Sequence, residues 1–255
     1  MGASKIPPMN ESLDISNYLN LVLEDWRSSR EDFPKNTPFN ARLHWPIPFF
    51  GNPGTAKVAT IGVNPSSGEF SSDRGWEEVR SSREWKLRLK NYFTHETPSR
   101  SWFDPWRMGL ALLDCSYEEG SAVHIDVSYR TTTAMLRNEK TDREEFGRMI
   151  DRDVEWMFRL LPLCRNLRGL LFYGPIISSG GRVDSIASYF KSVAPRYNFS
   201  ITGDGETCRF PPQIQKNNLF LHEVESKGDR SVQQKVVMDL RRNGRYLRQG
   251  FSSVG

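Results

Sequence analysis

The stretch Lys57-Val58-Ala59-Thr60-Ile61-Gly62-Val63-Asn64-Pro65-Ser66-Ser67-Gly68 decides how this chain is read. Lys57 to Gly62 is short, carries the β-branched residues Val58, Thr60 and Ile61, and closes on a glycine, which predicts a strand ending in a turn. The Asn, Pro, Ser and Gly after it are residue types that form turns without any chemistry. Outward from here, Ala122 to Val127, Leu170 to Tyr173 and Asn218 to Val224 read as three more strands. Helical spacing of apolar residues predicts helices over Leu13–Arg30, Glu84–Phe93, Val183–Val193 and a basic Val232–Gln249. A further helix is signalled by the capping box Thr141-x-x-Glu144, with Phe146, Ile150, Val154, Met157 and Leu161 on one face and Pro162 near its end. In Trp45-Pro46-Ile47-Pro48-Phe49-Phe50 the prolines bar a central strand, so this segment is an edge or an ordered loop. Strands separated by helices predict the α/β class: a three-layer α/β/α sandwich around a four-stranded, mostly parallel central sheet.

A chain of 255 residues allows one large or two small domains. With no repeat, long linker or low-complexity tract, a single domain over 1–255 is the simpler expectation, with residues 1–11 as a loose lead-in. Fifteen Phe, seven Trp and eight Tyr exclude a disordered chain. Cys115, Cys164 and Cys208 lie far apart with no Cys-x-x-Cys, which excludes a zinc ribbon or four-cysteine iron–sulfur site. Neither cysteine nor histidine spacing offers a ligand set, so no metal and no organic cofactor is expected. Unpaired thiols without a signal peptide point to the reducing cytoplasm. The most apolar run, Gly169 to Ile177, is half a membrane span at most, so no membrane partner is expected, and a monomer is. A net charge of +4 is compatible with a nucleic-acid partner and equally with an ordinary soluble surface.

Gly51-Asn-Pro-Gly-Thr-Ala-Lys57-Val58 imitates a phosphate-binding loop but lacks its chemistry. Ala56 stands where the second glycine belongs, and Val58 has no hydroxyl for magnesium. The loop also precedes a strand instead of opening a helix. The segment after Gly62 is different, because ligand groups in open parallel sheets collect at the carboxyl ends of strands. There Gly62 is expected to let the backbone turn sharply and Pro65 to stiffen the loop, so that Asn64 projects as a fixed amide into a crevice.

Gly62-Val63-Asn64-Pro65 resembles the first signature of the uracil-DNA glycosylase superfamily, Gly-x-Asn-Pro in its mismatch-specific and single-strand-selective branches. The last strand, Leu219-Phe220-Leu221-His222, places His222 where that family has a pocket histidine. Val123-His124-Ile125-Asp126 is similar to its second, base-reading strand, and Leu171 to Ser185 to its third strand and helix. The order of elements matches over residues 40–245.

The resemblance implies a monofunctional DNA glycosylase that flips out a deaminated or mismatched, uracil-like base in single- or double-stranded DNA and cuts its N-glycosidic bond. Asn64 would orient the attacking water through its amide oxygen. His222 would stabilise charge on the departing base. Phe70 would stack on the base, while Ser66, Ser67 and Gly68 would hold a phosphate; Gly62, Val63, Pro65 and His124 complete the implied binding set. Two departures stand out. His222 is followed by Glu223-Val224-Glu225-Ser226, not Pro-Ser, and Asp126 stands where the family has a neutral amide. A carboxylate accepts from N–H groups but cannot donate to a carbonyl. The base is therefore not plain uracil, or Asp126 is itself catalytic.

Duller explanations apply as well. His124 and His222 both suit a packed core histidine, His44 and His95 have no constellation around them, and Trp102, Phe103 and Trp106 suit core or loop packing. The basic run Arg241 to Arg248 is either a phosphate contact or a solvated helix. The rivals to a glycosylase are a superfamily member that kept base or nucleic-acid binding without catalysis, and a hydrolase of small nucleosides or nucleotides.

Overall fold

The computed structural model describes residues 14–29, 44–66, 76, 79–95, 103–111, 113–132, 140–202, 207–209, 211 and 219–224. In chain order its elements are α1 (Ile15–Ser28), β1 (Phe49–Gly51), β2 (Val58–Gly62), α2 (Ser82–Lys90), α3 (Tyr92–His95), α4 (Asp104–Ala111), β3 (Ala122–Asp126), α5 (Lys140–Leu160), β4 (Gly169–Tyr173), β5 (Pro175–Ile177), β6 (Val183–Ser185), α6 (Ile186–Val193), β7 (Ser200–Ile201), β8 (Thr207–Arg209) and β9 (Leu219–Val224). The class is mixed α/β with a mostly parallel central sheet.

β2 and β3 are buried at every residue, as strands covered on both faces must be. Each lies parallel to a neighbour in the run β3-β2-β4-β9, which contains the four strands expected from sequence. The expected count of four is corrected, because the sheet has seven strands among the described residues, in the order β1-β3-β2-β4-β9-β8-β7. The additions are antiparallel and short. β1 pairs with β3, β8 with β9, and β7 with β8, and two or three residues are too few to display a period of two. β1 lies on the outer edge of the sheet, where Pro46 and Pro48 before it cost no ladder bond.

The two faces of the sheet are covered differently. On one face Phe172 of β4 meets Phe190 of α6 (ring centroids 5.1 Å apart), which stacks on Phe158 of α5 at 4.9 Å. On the other, Phe50 of β1, His124 of β3, Tyr92, Phe93, Phe103 and Tyr117 form an aromatic cluster, with Phe93 and Tyr117 stacked at 4.2 Å. Phe103 and Trp106 are buried in this layer, in keeping with the packing explanation. The register puts Thr60 opposite both His124 and Leu171, and Leu171 opposite His222, so these positions form one row across four strands.

Helix boundaries differ from the sequence reading in three places. Val183 begins β6, an antiparallel partner of β5, and is 54% exposed; α6 starts at Ile186 behind the N-cap Ser185, whose hydroxyl accepts from Ser188 N. α5 is already helical at Lys140, so Thr141 is not its N-cap. The capping box is instead on α2, where Ser81 and Glu84 satisfy each other's backbone N–H; hydrogen bonds from the backbone N–H groups of Arg80 and then Ser81 hold the Glu84 carboxyl below its ordinary range. That helix stops at Asn91, and Tyr92–His95 is a separate turn. The expected lead-in 1–11, Trp102 and the helix over 232–249 lie outside the described residues. No helix among the described residues is long and apolar enough to cross a membrane.

Gly147 lets α5 touch the β5–β6 hairpin. A Cβ added there would lie 2.2 Å from Ser178 O and 2.8 Å from Ser179 N, both backbone atoms that cannot swing away. Alanine at an exposed helix position gains about 1 kcal/mol over glycine. Here the clash outweighs that gain, and Gly147→Ala is expected to destabilise the protein by about 1–3 kcal/mol, read as a fall in the urea midpoint. Cys115, Cys164 and Cys208 are buried thiols outside any disulfide, and burial pushes the Cys208 thiol up to about 12. All three are expected to react slowly with a thiol reagent in the native protein and fast in denaturant.

Candidate functional site

The chain beyond β2 and the chain beyond β3 run side by side at the carboxyl edge of the sheet. Val127 N donates to Gly62 O (3.0 Å), Ser128 N to Val63 O (2.9 Å) and Thr132 N to Pro65 O (3.2 Å), and Ser66 bridges Thr132 in parallel. Two loops that would be separate turns are thereby joined into one ledge. Asn64 sits in its middle, half-buried. Its Nδ2 faces Thr132 Oγ1 at 2.9 Å, Pro65 O at 3.0 Å and Arg130 O at 3.2 Å. Two of these are backbone carbonyls, which only accept, so the NH2 group belongs there. Thr132 and Arg130, as well as Pro65, thus hold the Asn64 amide by hydrogen bonds.

A buried guanidinium underpins the ledge. Arg130 is 1% exposed; its Nε lies 3.1 Å from Asp153 Oδ2, and its NH2 group donates to Ser29 Oγ at 2.6 Å, to the Tyr129 hydroxyl, and at 3.4 Å to Asp25 Oδ2. Asp153, fully buried on α5, also accepts from Ser128 Oγ at 2.6 Å. Asp25 of α1 gathers Tyr129 OH and Trp156 Nε1. Burial alone would lower the Arg130 pKa, but Asp153, Tyr129 and Asp25 outweigh it and hold the guanidinium above its ordinary value. Burial pushes the Asp153 carboxyl up, and Arg130 and Ser128 only partly pull it back. The loop after β3 is thus tied to α1 and α5 through charge.

Gly62 is required for a different reason from the one expected. Its backbone is that of an extended strand residue paired with Asp126, and it has no left-handed φ, so it does not serve a sharp turn. What it provides is space: a Cβ there would lie 2.4 Å from Asp126 Oδ1 and 2.6 Å from His124 Nε2. These two side chains share the face above Gly62, as residues two apart on a strand must. His124 Nε2 and Asp126 Oδ1 are 3.3 Å apart. His124 Nδ1 is 2.7 Å from Thr60 Oγ1, which is 2.6 Å from Tyr117 OH. His124 is wholly buried and touches the aromatic cluster, whereas Asp126, 3% exposed, ends the chain of polar groups with Oδ2 unpaired among the described residues.

Of the other residues expected at the site, Val63 is half-buried against the core, Pro65 is buried with its carbonyl engaged, and Ser66 is exposed. Ser67, Gly68 and Phe70 lie outside the described residues, as does the side chain of His222; its backbone stands on β9 opposite Leu171. Thr60, Tyr117, Arg130, Thr132, Asp25 and Asp153 were not legible as site residues. Only Thr60 carried a signal, a polar residue at a buried strand position in phase with Gly62. Compared with known proteins, the chain matches no family model and no curated protein sequence.

Removing Arg130 leaves Asp153 buried without its counter-charge. Arg130→Met is expected to cost about 3–5 kcal/mol in urea unfolding, whereas breaking the exposed Arg182–Asp184 pair with Arg182→Ala is expected to cost less than about 1 kcal/mol.

Proposed function

We propose that this protein is a monofunctional DNA N-glycosylase acting on a flipped-out, deaminated or mismatched base. The observation that carries the reading is the Asn64 amide: its nitrogen faces three acceptors at the carboxyl edge of the central strand, and its oxygen has no donor among the described residues. A fixed oxygen of this kind orients a water without taking its proton. In the reaction the N–C1′ bond breaks with its electron pair going to the base nitrogen. The water oxygen then bonds to C1′ and its proton passes to the departed base, leaving an abasic sugar and the neutral free base. Donors at fixed positions stabilise the departing base anion. The role given to His222 rests on the resemblance of its strand to the one that carries the family's pocket histidine.

Labelled oligonucleotides carrying uracil, hypoxanthine, xanthine or mismatched thymine, single- and double-stranded, test this directly, with alkali revealing abasic sites. Wild-type protein is expected to cleave at least one of them. Asn64→Ala and His222→Ala, checked for folding by circular dichroism, are each expected to lower the rate by about 10²–10³-fold. Binding without cleavage would favour a recognition module. Strong inhibition by free nucleoside would favour a hydrolase of small substrates.

A further inference from the structure

The parallel strands end together at the carboxyl edge, and β4 ends there on an aromatic ring. Thr60 stands opposite Leu171 and Ile61 opposite Phe172, so Tyr173 closes β4 level with Gly62. Its neighbour on the other side is Val224 of β9. Residues two apart on a strand share a face, so Tyr173 lies on the face of Leu171, Thr60 and His124. Ring contacts agree with the register: Trp106 packs against Tyr173 with centroids 5.5 Å apart and against His124 at 6.2 Å. Neighbouring strands lie about 5 Å apart, which sets Tyr173 one such step from the strand end that leads into Asn64.

This ring differs from the others in its layer. Phe50, Tyr92, Phe103, Trp106 and Tyr117 are buried, whereas Tyr173 keeps part of its surface in solvent. β2 contributes no side chain to its row, because Gly62 stands there. The planes of Trp106 and Tyr173 are 83° apart, and an edge-to-face partner occupies at most one face of a ring. Trp106 therefore leaves a face of Tyr173 uncovered. The position is also firmly held. β4 is paired on both sides, and beyond it Gly174, at φ +94°, turns the chain away with its carbonyl accepting from Ile186 N at 3.1 Å. We propose that Tyr173 is a base-binding residue, the platform on which the flipped-out ring stacks at the strand edge where ligands collect. This rests on the glycosylase reading and adds to it a contact from a different strand from Asn64. Extruded bases are held by stacking on aromatic side chains, which accept any flat heteroaromatic ring and read no donor or acceptor pattern. Tyr173 thus supplies affinity for purine and pyrimidine alike and leaves the choice between bases to polar contacts.

The test titrates the whole protein, labelled at tyrosine for NMR, with free uracil, hypoxanthine, xanthine and thymine, the bases that the cleavage assay would release. Wild type is expected to bind at least one of them and to show nuclear Overhauser contacts between the Tyr173 ring and protons of the base. Tyr173→Leu keeps an apolar side chain and removes the ring; it is expected to weaken that binding by about 5- to 100-fold. Tyr173→Phe and Tyr173→Trp keep a platform and are expected to bind much as wild type does. If Tyr173→Leu fails to fold, the Overhauser contacts of the wild-type protein decide the matter. Failure of every base to bind, a bound base without contacts to Tyr173, unchanged affinity in a folded Tyr173→Leu, or a loss confined to Phe70→Leu would overturn the inference. Cleavage of an oligonucleotide alongside any of these results would leave the glycosylase reading standing. Stacking on Tyr173 without cleavage of any oligonucleotide would sink that reading and keep the platform, and neither binding nor cleavage would sink both.

Discussion

The site depends on one buried cation. Arg130 lies under the loop that follows β3 and joins Asp153 on α5 to Asp25 on α1. A buried ion pair adds little net stability over apolar packing, but breaking it is severe, so it acts as a registry device for the segment that carries it. Here that segment provides Arg130 O and Thr132 Oγ1, two of the three acceptors on the Asn64 amide. The aim of Asn64 is therefore set by a charge in the helical layer and transmitted through backbone carbonyls. Asn64 needs no hydrogen bond of its own to the helices.

A second constraint is steric. Parallel pairing of β2 and β3 puts Gly62 opposite Asp126, and the imidazole and carboxylate of the two neighbouring β3 positions fill the space a Cβ would take. The strand ends, the polar chain and the ledge therefore meet at one point. Leu171 carries the same cross-sheet row on to His222. Phe50, Phe103 and Trp106 pack around His124, whose two nitrogens face Thr60 and Asp126.

The parallel centre of the fold was legible because each of its strands is a short β-branched or apolar run closed by a turn or a polar boundary. β7 and β8 were not, since two or three residues cannot establish a period, and β6 was absorbed into a helix because Val183 happens to fall in phase with α6. Asn64 could be noticed from local chemistry, an amide between a glycine and a proline after a strand, whereas Asp126 stood out only through the resemblance of its strand to a base-reading one. What held them could not. Tyr117, Arg130 and Asp153 lie far from Asn64 in sequence, and an Arg in a loop or an Asp in a charged helix gives no sign that it will be buried. Gly62 was recognised as special for the wrong physical reason, since sequence shows that a side chain is absent but not which neighbours occupy its place.

If Asn64 is the group that orients the attacking water, its amide oxygen must lie beside the bound nucleotide at the carboxyl edge of β2. A crystal structure of the protein with an oligonucleotide carrying a non-hydrolysable analogue of a deaminated nucleotide tests this most directly. The expected result is a flipped-out base beside Asn64 with a water on its amide oxygen. A base bound elsewhere, or still stacked in the duplex, would contradict it.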